Sequence, residues 1–219
     1  MSLEILHDQL RAKFNQYTRR AFKMLPRLEK PCILDIGCGT GVPALELAQL
    51  SNGEIIGIDI DQACLDAFTK KIETAGLTKR IKVIRCSMLD MKFPDESFDI
   101  IWAEGVMWII GFERGLKEWR RFIKPHGFLV VHDEISTINK RREMVSLCSY
   151  KLIDTFLIPK DVWWKEYYDP LEQQIKELRI QYRDDPTTIR MLDREQNEVE
   201  EFKKNPRNHG SVFFIMQKR

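Results

Sequence analysis

Asp35, the glycines at 37, 39 and 41, Asp59 and Glu104 are the residues of this chain whose types and spacing could do chemistry. Glycines at alternate positions let the backbone take dihedrals closed to other residues, and a ligand can reach main-chain N–H groups with no Cβ in the way. Asp59 follows the first glycine at close to the ~20 residues that separate a glycine turn from a ribose-binding acid in a βαβ unit. A carboxylate there can accept hydrogen bonds from both ribose hydroxyls. The spacing also narrows the ligand. A dinucleotide fingerprint needs glycine at its sixth position, where Val42 stands, and no Gly-Lys-Ser/Thr follows to make a P-loop. A nicotinamide dehydrogenase remains an enzymatic rival through Asp59 alone.

The elements that must position these residues read clearly in the pattern. Cys32–Ile36 is a short apolar run holding one carboxylate, and an amphipathic helix begins at Pro43, so the glycines join a strand to a helix. The positive end of that helix faces whatever sits in the turn. Residues 54–60 read as a second buried strand, with Asp61 as N-cap of a helix running to Gly76. Further strands are expected at 81–85, 98–105 and 128–133, with a covering helix at 112–123 and a turn at Pro125-His126-Gly127. Leu6, Leu10, Phe14, Tyr17, Ala21 and Leu25 lie on one face of a single expected N-terminal helix that ends at Pro26. Its opposite face carries Arg11, Lys13, Arg19, Arg20 and Lys23, read as a solvated face. Beyond Asp133 the expected order is a helix over 138–150, a β run over 151–158, an aromatic stretch from Trp163 to Tyr168, a charged helical segment over 171–204 broken near Asp185-Pro186, and a last strand over 211–217.

The sequence Asp-Ile-Gly-Cys-Gly-Thr-Gly at 35–41 resembles motif I of the class I S-adenosylmethionine (SAM)-dependent methyltransferases. Phe93-Pro-Asp-Glu-Ser-Phe-Asp99 and the phrase Phe122-Ile-Lys-Pro-His-Gly-Phe-Leu-Val-Val131 are similar to the UbiE-like, "type 11" group of small-molecule methyltransferases. The resemblance covers Pro31 to about Asp133. It implies a Rossmann-like, doubly wound α/β fold: a seven-stranded sheet, mostly parallel with an antiparallel last strand, plus an N-terminal lid helix and a helical insertion before the last strand. Within one domain spanning 1–219, it implies a lid at 1–30, a SAM-binding core at 31–133 and a substrate side at 134–219. For the cofactor it implies Asp35, Gly37, Cys38, Gly39, Gly41, Asp59 and Ile60. Ser87 and Met88 take the adenine loop, where the family usually has Asp in place of Ser87 and where Asp90 is a substitute. Tyr17 comes from the lid, and Glu104 contacts cofactor or backbone. Cys38 positions backbone and is expected to be inert.

Methyl transfer from a sulfonium is an in-line displacement at carbon, so holding the nucleophile behind the methyl is the protein's main task. A hydroxyl or amine acceptor gains from a general base within hydrogen-bond reach. Glu104, His132 and Asp133 stand at the carboxyl edge of the sheet, and Glu104 is the catalytic candidate. His132 reads as a packed side chain. Trp108 and Tyr167 are expected to line an apolar acceptor pocket. No ligand spacing calls for a metal. The stretch after Glu104 has neither the Asn/Asp-Pro-Pro-aromatic segment of amino-methylating DNA enzymes nor the Pro-Cys of cytosine C5 enzymes.

Composition sets the remaining bounds. With 219 residues and 43% hydrophobic content the chain suits one domain with a real core. A charge of +2, from 35 basic against 33 acidic side chains, gives no electrostatic footprint for nucleic acid. Five cysteines without a C-x-x-C pair read as reduced thiols, and no apolar run approaches a bilayer span. The expectation is a soluble, cytoplasmic enzyme that methylates a small molecule, with the insertion as a substrate cap or homodimer contact. A nonenzymatic SAM-binding protein and an RNA or protein methyltransferase are the alternatives.

Overall fold

The structure, a computed structural model, describes residues 3–135, 137–204 and 210–219. Position 136 and positions 205–209, within the expected substrate side, lie outside the described residues. In chain order the elements are α1 (Leu3–Ala12), α2 (Asn15–Lys23), β1 (Cys32–Ile36), α3 (Val42–Leu50), β2 (Glu54–Asp59), α4 (Gln62–Thr74), β3 (Ile81–Arg85) and β4 (Phe98–Glu104). They continue with α5 (Met107–Ile110), α6 (Phe112–Trp119), β5 (Ile123–Glu134), α7 (Ile138–Leu147), β6 (Tyr150–Ile158), α8 (Lys160–Trp163), α9 (Asp169–Gln181), α10 (Pro186–Lys204) and β7 (Ser211–Lys218).

The strands form one seven-stranded sheet in the order β3-β2-β1-β4-β5-β7-β6. Pairs β1–β2, β1–β4, β2–β3 and β4–β5 are parallel, and β7 runs antiparallel. Strands buried on both faces read as continuous apolar runs, which is why Ile33, Leu34, Ile100, Ile101, Leu129 and Val130 are fully buried. Strand order reverses between β1 and β4, and open α/β sheets bind ligands outside the carboxyl ends at such a reversal. Asp35 near the end of β1 is in register with Trp102, and Glu104 at the end of β4 with His132.

Contacts group the described residues into two compact units. One gathers Met1–Lys13, Glu134–Ser136 and Leu157–Ser211 as far as these are described; the other gathers Phe14–Asp133, Thr137–Phe156 and Val212–Arg219. The second holds nearly all of the sheet with α2 to α7. In the first, α1 packs against α9 and against the π-helical turn Trp164–Tyr168, and α10 packs on α9. The break at Asp185-Pro186 separates α9 from α10 as the pattern predicts: Asp185 accepts from Thr187 N at 3.0 Å and starts α10.

The single N-terminal helix is corrected to two. Backbone at Phe14 stays helical (φ −83°, ψ −8°) but tightens there, with Lys13 N donating to Leu10 O and Tyr17 N to Phe14 O. No glycine or proline marks the break, so the apolar spacing runs straight through it. The five cations of the basic face are exposed, as expected, and two of them also make side contacts: Arg19 pairs with the buried Glu46 at 3.2 Å, and Arg20 lies 4.1 Å from the Phe156 ring centre. Nor is Pro125-His126-Gly127 a turn ahead of a six-residue strand. β5 runs through it for 12 residues, with a register shift where Phe98 and Ile100 pair with Ile123 and Phe128. The covering helix ends earlier, at Trp119, and closes in a 3-10 turn at Arg120–Phe122.

Candidate functional site

β1 ends in the glycine turn, and three positive φ angles shape it: Gly37 at 68°, Gly39 at 50° and Gly41 at 83°. The three glycines are required for different reasons. A Cβ on Gly37 would fall 2.4 Å from Val106 Cγ1, and one on Gly41 would fall 2.0 Å from Phe68 Cδ2, so these two serve packing. A Cβ on Gly39 would meet nothing within 4 Å, which leaves open space over its backbone. The turn is braced from below, where Gly37 N and Cys38 N both donate to Ile58 O, and from α4, where Lys71 Nζ donates to Thr40 O. Asp59, at the end of β2, accepts from Gly39 N at 2.9 Å and from Asp61 N at 3.0 Å. Asp61 caps α4 as its sequence position implies, accepting from Ala63 N and Cys64 N.

Carboxylates dominate the electrostatics of the turn. Asp35 is buried, and its Oδ2 has no hydrogen-bond partner. Burial holds its carboxyl well above the usual carboxylate range, and the charges of Glu104 and Asp59 push in the same direction. Glu104 is gripped from several elements: its Oε1 accepts from Thr18 Oγ1 of α2 at 2.8 Å and from Trp102 Nε1 at 2.7 Å. Its Oε2 lies 3.8 Å from His132 Nδ1. His132 is packed, as expected, with its ring stacked on Phe213 at 4.4 Å and 8°. Asp133 pairs with Arg141 at 2.7 Å. Burial lifts the Cys38 thiol far above its usual range, so this cysteine is no nucleophile.

Residues 33–127 match the family model described as "Methyltransferase domain". That segment is similar to methyltransferase domains. The chain is similar to the sterol 24-C-methyltransferase erg6 of Aspergillus fumigatus, at 31% identity over 48% of this chain and 28% of that protein. It is similar also to the demethylmenaquinone methyltransferase of Lactobacillus johnsonii, at 33% identity over 52% of this chain and 48% of that protein. The chain spans about half or less of the length of the curated relatives it matches. Among solved structures, phosphoethanolamine N-methyltransferase 2 of Haemonchus contortus, in complex with SAM, shares the fold at a TM-score of 0.73 and 15% identity, covering 94% of this chain and 52% of that one.

The other residues expected at the site divide between the two units: Tyr17, Ile60, Ser87, Met88 and Trp108 lie in one and Tyr167 in the other. Ile60, directly after β2, is 65% exposed. After β3, Ser87 Oγ accepts from Leu89 N at 3.2 Å and shapes the loop, while Met88 is half-buried against the core and Asp90 points outward to Lys92. Trp108, in α5 just beyond Glu104, is 76% exposed, with its indole N–H held by Gly105 O at 3.0 Å. Tyr17 is half-buried on α2, its ring 6.0 Å from that of Phe14. Tyr167 belongs to the helical unit, where it is buried and its hydroxyl lies 2.8 Å from His7 Nδ1; His7 Nε2 reaches Glu195 at 3.0 Å. Sequence reasoning passed over Thr18 and Trp102. Thr18 lies on the apolar face of α2, four residues after Phe14 and three before Ala21, and a polar side chain buried there requires a partner.

Proposed function

We propose that this chain transfers a methyl group from SAM to a small-molecule acceptor. The observation that carries the reading is the charge of the turn: Asp35, Asp59 and Glu104 interact electrostatically, Asp35 has an unpartnered buried oxygen, and Gly39 is open above. Such a set favours a cationic ligand and repels the pyrophosphate of a dinucleotide, which separates SAM from the nicotinamide cofactors that Asp59 would serve equally well. When bound, SAM supplies an electrophilic methyl on a sulfonium whose leaving group is a neutral thioether. Asp59 would hold the ribose, and the open backbone at Gly39 would receive the amino-carboxypropyl end. Glu104 would balance positive charge, and a bound cation would favour the ionised form of Asp35. Ser87, Met88 and Ile60 would border the adenine, with Tyr17 beside them.

The acceptor lies past Glu104 in this reading, with the exposed Trp108 ring as its apolar platform and Glu104 as the group that takes up or orients an acceptor proton. Tyr167 of the helical unit, with Trp163 and Tyr168 around it, is a second aromatic candidate for contact with an acceptor. Small-molecule acceptors are supported by relatives named for sterols and demethylmenaquinone. Among the described residues no helix is long and apolar enough to cross a membrane. The five cysteines are free thiols, which supports a reducing, cytosolic compartment. Calorimetric titration with SAM, S-adenosylhomocysteine (SAH) and NADH tests the cofactor: micromolar-range binding of the first two without the third is expected, and binding of NADH alone would reject the reading. Release of SAH on incubation with fractionated metabolites then separates an enzyme from a protein that only binds SAM.

A further inference from the structure

Glu104 ends β4 beside the glycine turn, yet the groups that fix its carboxylate are not part of the turn. Oε1 accepts two hydrogen bonds, from Thr18 Oγ1 at 2.8 Å and Trp102 Nε1 at 2.7 Å. The indole comes from two residues earlier on the same strand, and Trp102 is fully buried, so this donor is as rigid as the sheet. The hydroxyl comes from α2, 86 residues away in sequence, on a side chain that is 1% exposed. Two donors from different elements on one oxygen define the direction of the carboxylate as a single bond would not. The charged and titratable groups near it include Asp35 on β1, with Asp59 beyond it on β2, and His132 on β5. On α2, Arg19 is engaged with Glu46 and Arg20 lies over Phe156.

We infer that Thr18 is a positioning residue that holds the Glu104 charge toward the cofactor turn and so sets the preference of this site for the cationic sulfonium of SAM over the neutral thioether of SAH. The inference rests on the SAM reading above. Its physical basis is distance: in a partly buried site a unit charge released from about 4 Å to about 6 Å from a cation loses enough attraction to change a binding constant by about tenfold. SAM and SAH differ by one methyl and one charge. Their affinity ratio therefore reports how the Glu104 charge is held, while a general loosening of the fold weakens both ligands alike.

The test is calorimetric titration of the full chain with SAM and with SAH, for the wild type, Thr18→Val, Thr18→Ser, Glu104→Gln and the Thr18→Val/Glu104→Gln double variant. Thr18→Val should shift the SAM-to-SAH affinity ratio about tenfold against SAM, and Thr18→Ser should restore it. Glu104→Gln should shift the ratio at least as far, with no further change when Thr18→Val is added. A wild-type ratio in Thr18→Val, or an equal loss of both ligands in Thr18→Val and Thr18→Ser, overturns the inference. Failure of the wild type to bind either ligand would instead reject the SAM reading itself.

Discussion

The Gly39 N–H donates to the Asp59 carboxylate at 2.9 Å, so the acid at the end of β2 is tied to the one glycine of the turn that has open space above it. A ligand resting on Gly39 is therefore met by Asp59 from the side. Removing that carboxylate strips two backbone donors, Gly39 N and Asp61 N, of their acceptor. Asp59→Ala should weaken SAM binding by about a hundredfold, as expected for losing charge-assisted bonds of about 1.5–3 kcal/mol. Isothermal titration measures this directly; affinity within threefold of the wild type would remove Asp59 from the site.

Asp35 has a stability signature. Its folded-state carboxyl titrates well above the value of 3.8 for a free side chain, with burial as the main cause. The folded protein therefore binds its proton more tightly than the unfolded chain does. That contribution is fully present below the unfolded value and is lost as pH rises through the folded one. Asp35→Asn should melt higher than the wild type near neutral pH, with the advantage shrinking toward pH 4. Thermal melts of the ligand-free proteins across that range check the sign, and a gap that widens on acidification would contradict it.

Two glycine substitutions should separate packing from binding. Gly41→Ala forces a Cβ into Phe68 at a φ of 83°, at a cost of about 3 kcal/mol of stability. Gly39→Ala meets no protein atom and should cost only about 1–2 kcal/mol, for its left-handed backbone. The new methyl of Gly39→Ala occupies the space over the turn, so SAM binding should be lost in a folded protein. Chemical denaturation and titration of the same two samples decide it. Undiminished SAM affinity in Gly39→Ala would move the ligand off the turn.

In the helical unit, burial pushes the Tyr167 hydroxyl up to about 12 from an ordinary 10.0. A raised folded value means that stability is intact below pH 10 and declines as pH rises toward 12. Tyr167→Phe should lower stability by about 1 kcal/mol near neutral pH through loss of the His7 bond, and should flatten the alkaline decline. Parallel melts at pH 8 and pH 11 give both quantities. An equally steep alkaline loss in the variant would assign the decline to another group.

Most of the sheet was legible in the sequence because its central strands are buried apolar runs and Gly, Pro and Asn signals close the segments; 81–85 falls where the pattern puts it, and the strand expected over 54–60 ends one residue earlier, at Asp59. The glycine turn and Asp59 were legible for the same local reason, their spacing being set within one βαβ unit. What local pattern cannot carry is a contact between distant segments. The Thr18–Glu104 bond joins residues 86 apart, and the break between α1 and α2 has no breaker residue to announce it. The extension of β5 through Pro125 follows from a register shift against β4, which neither strand encodes alone.

The segment that matches the methyltransferase family, 33–127, contains Glu104 and Trp102 but stops short of His132 and begins after Thr18. Glu104 thus lies within the matched segment, whereas Thr18 and His132 lie outside it. Two proteins could carry the same domain and differ in how tightly this carboxylate is aimed. A chimera that receives only residues 33–127 of this chain would import the acid without its grip.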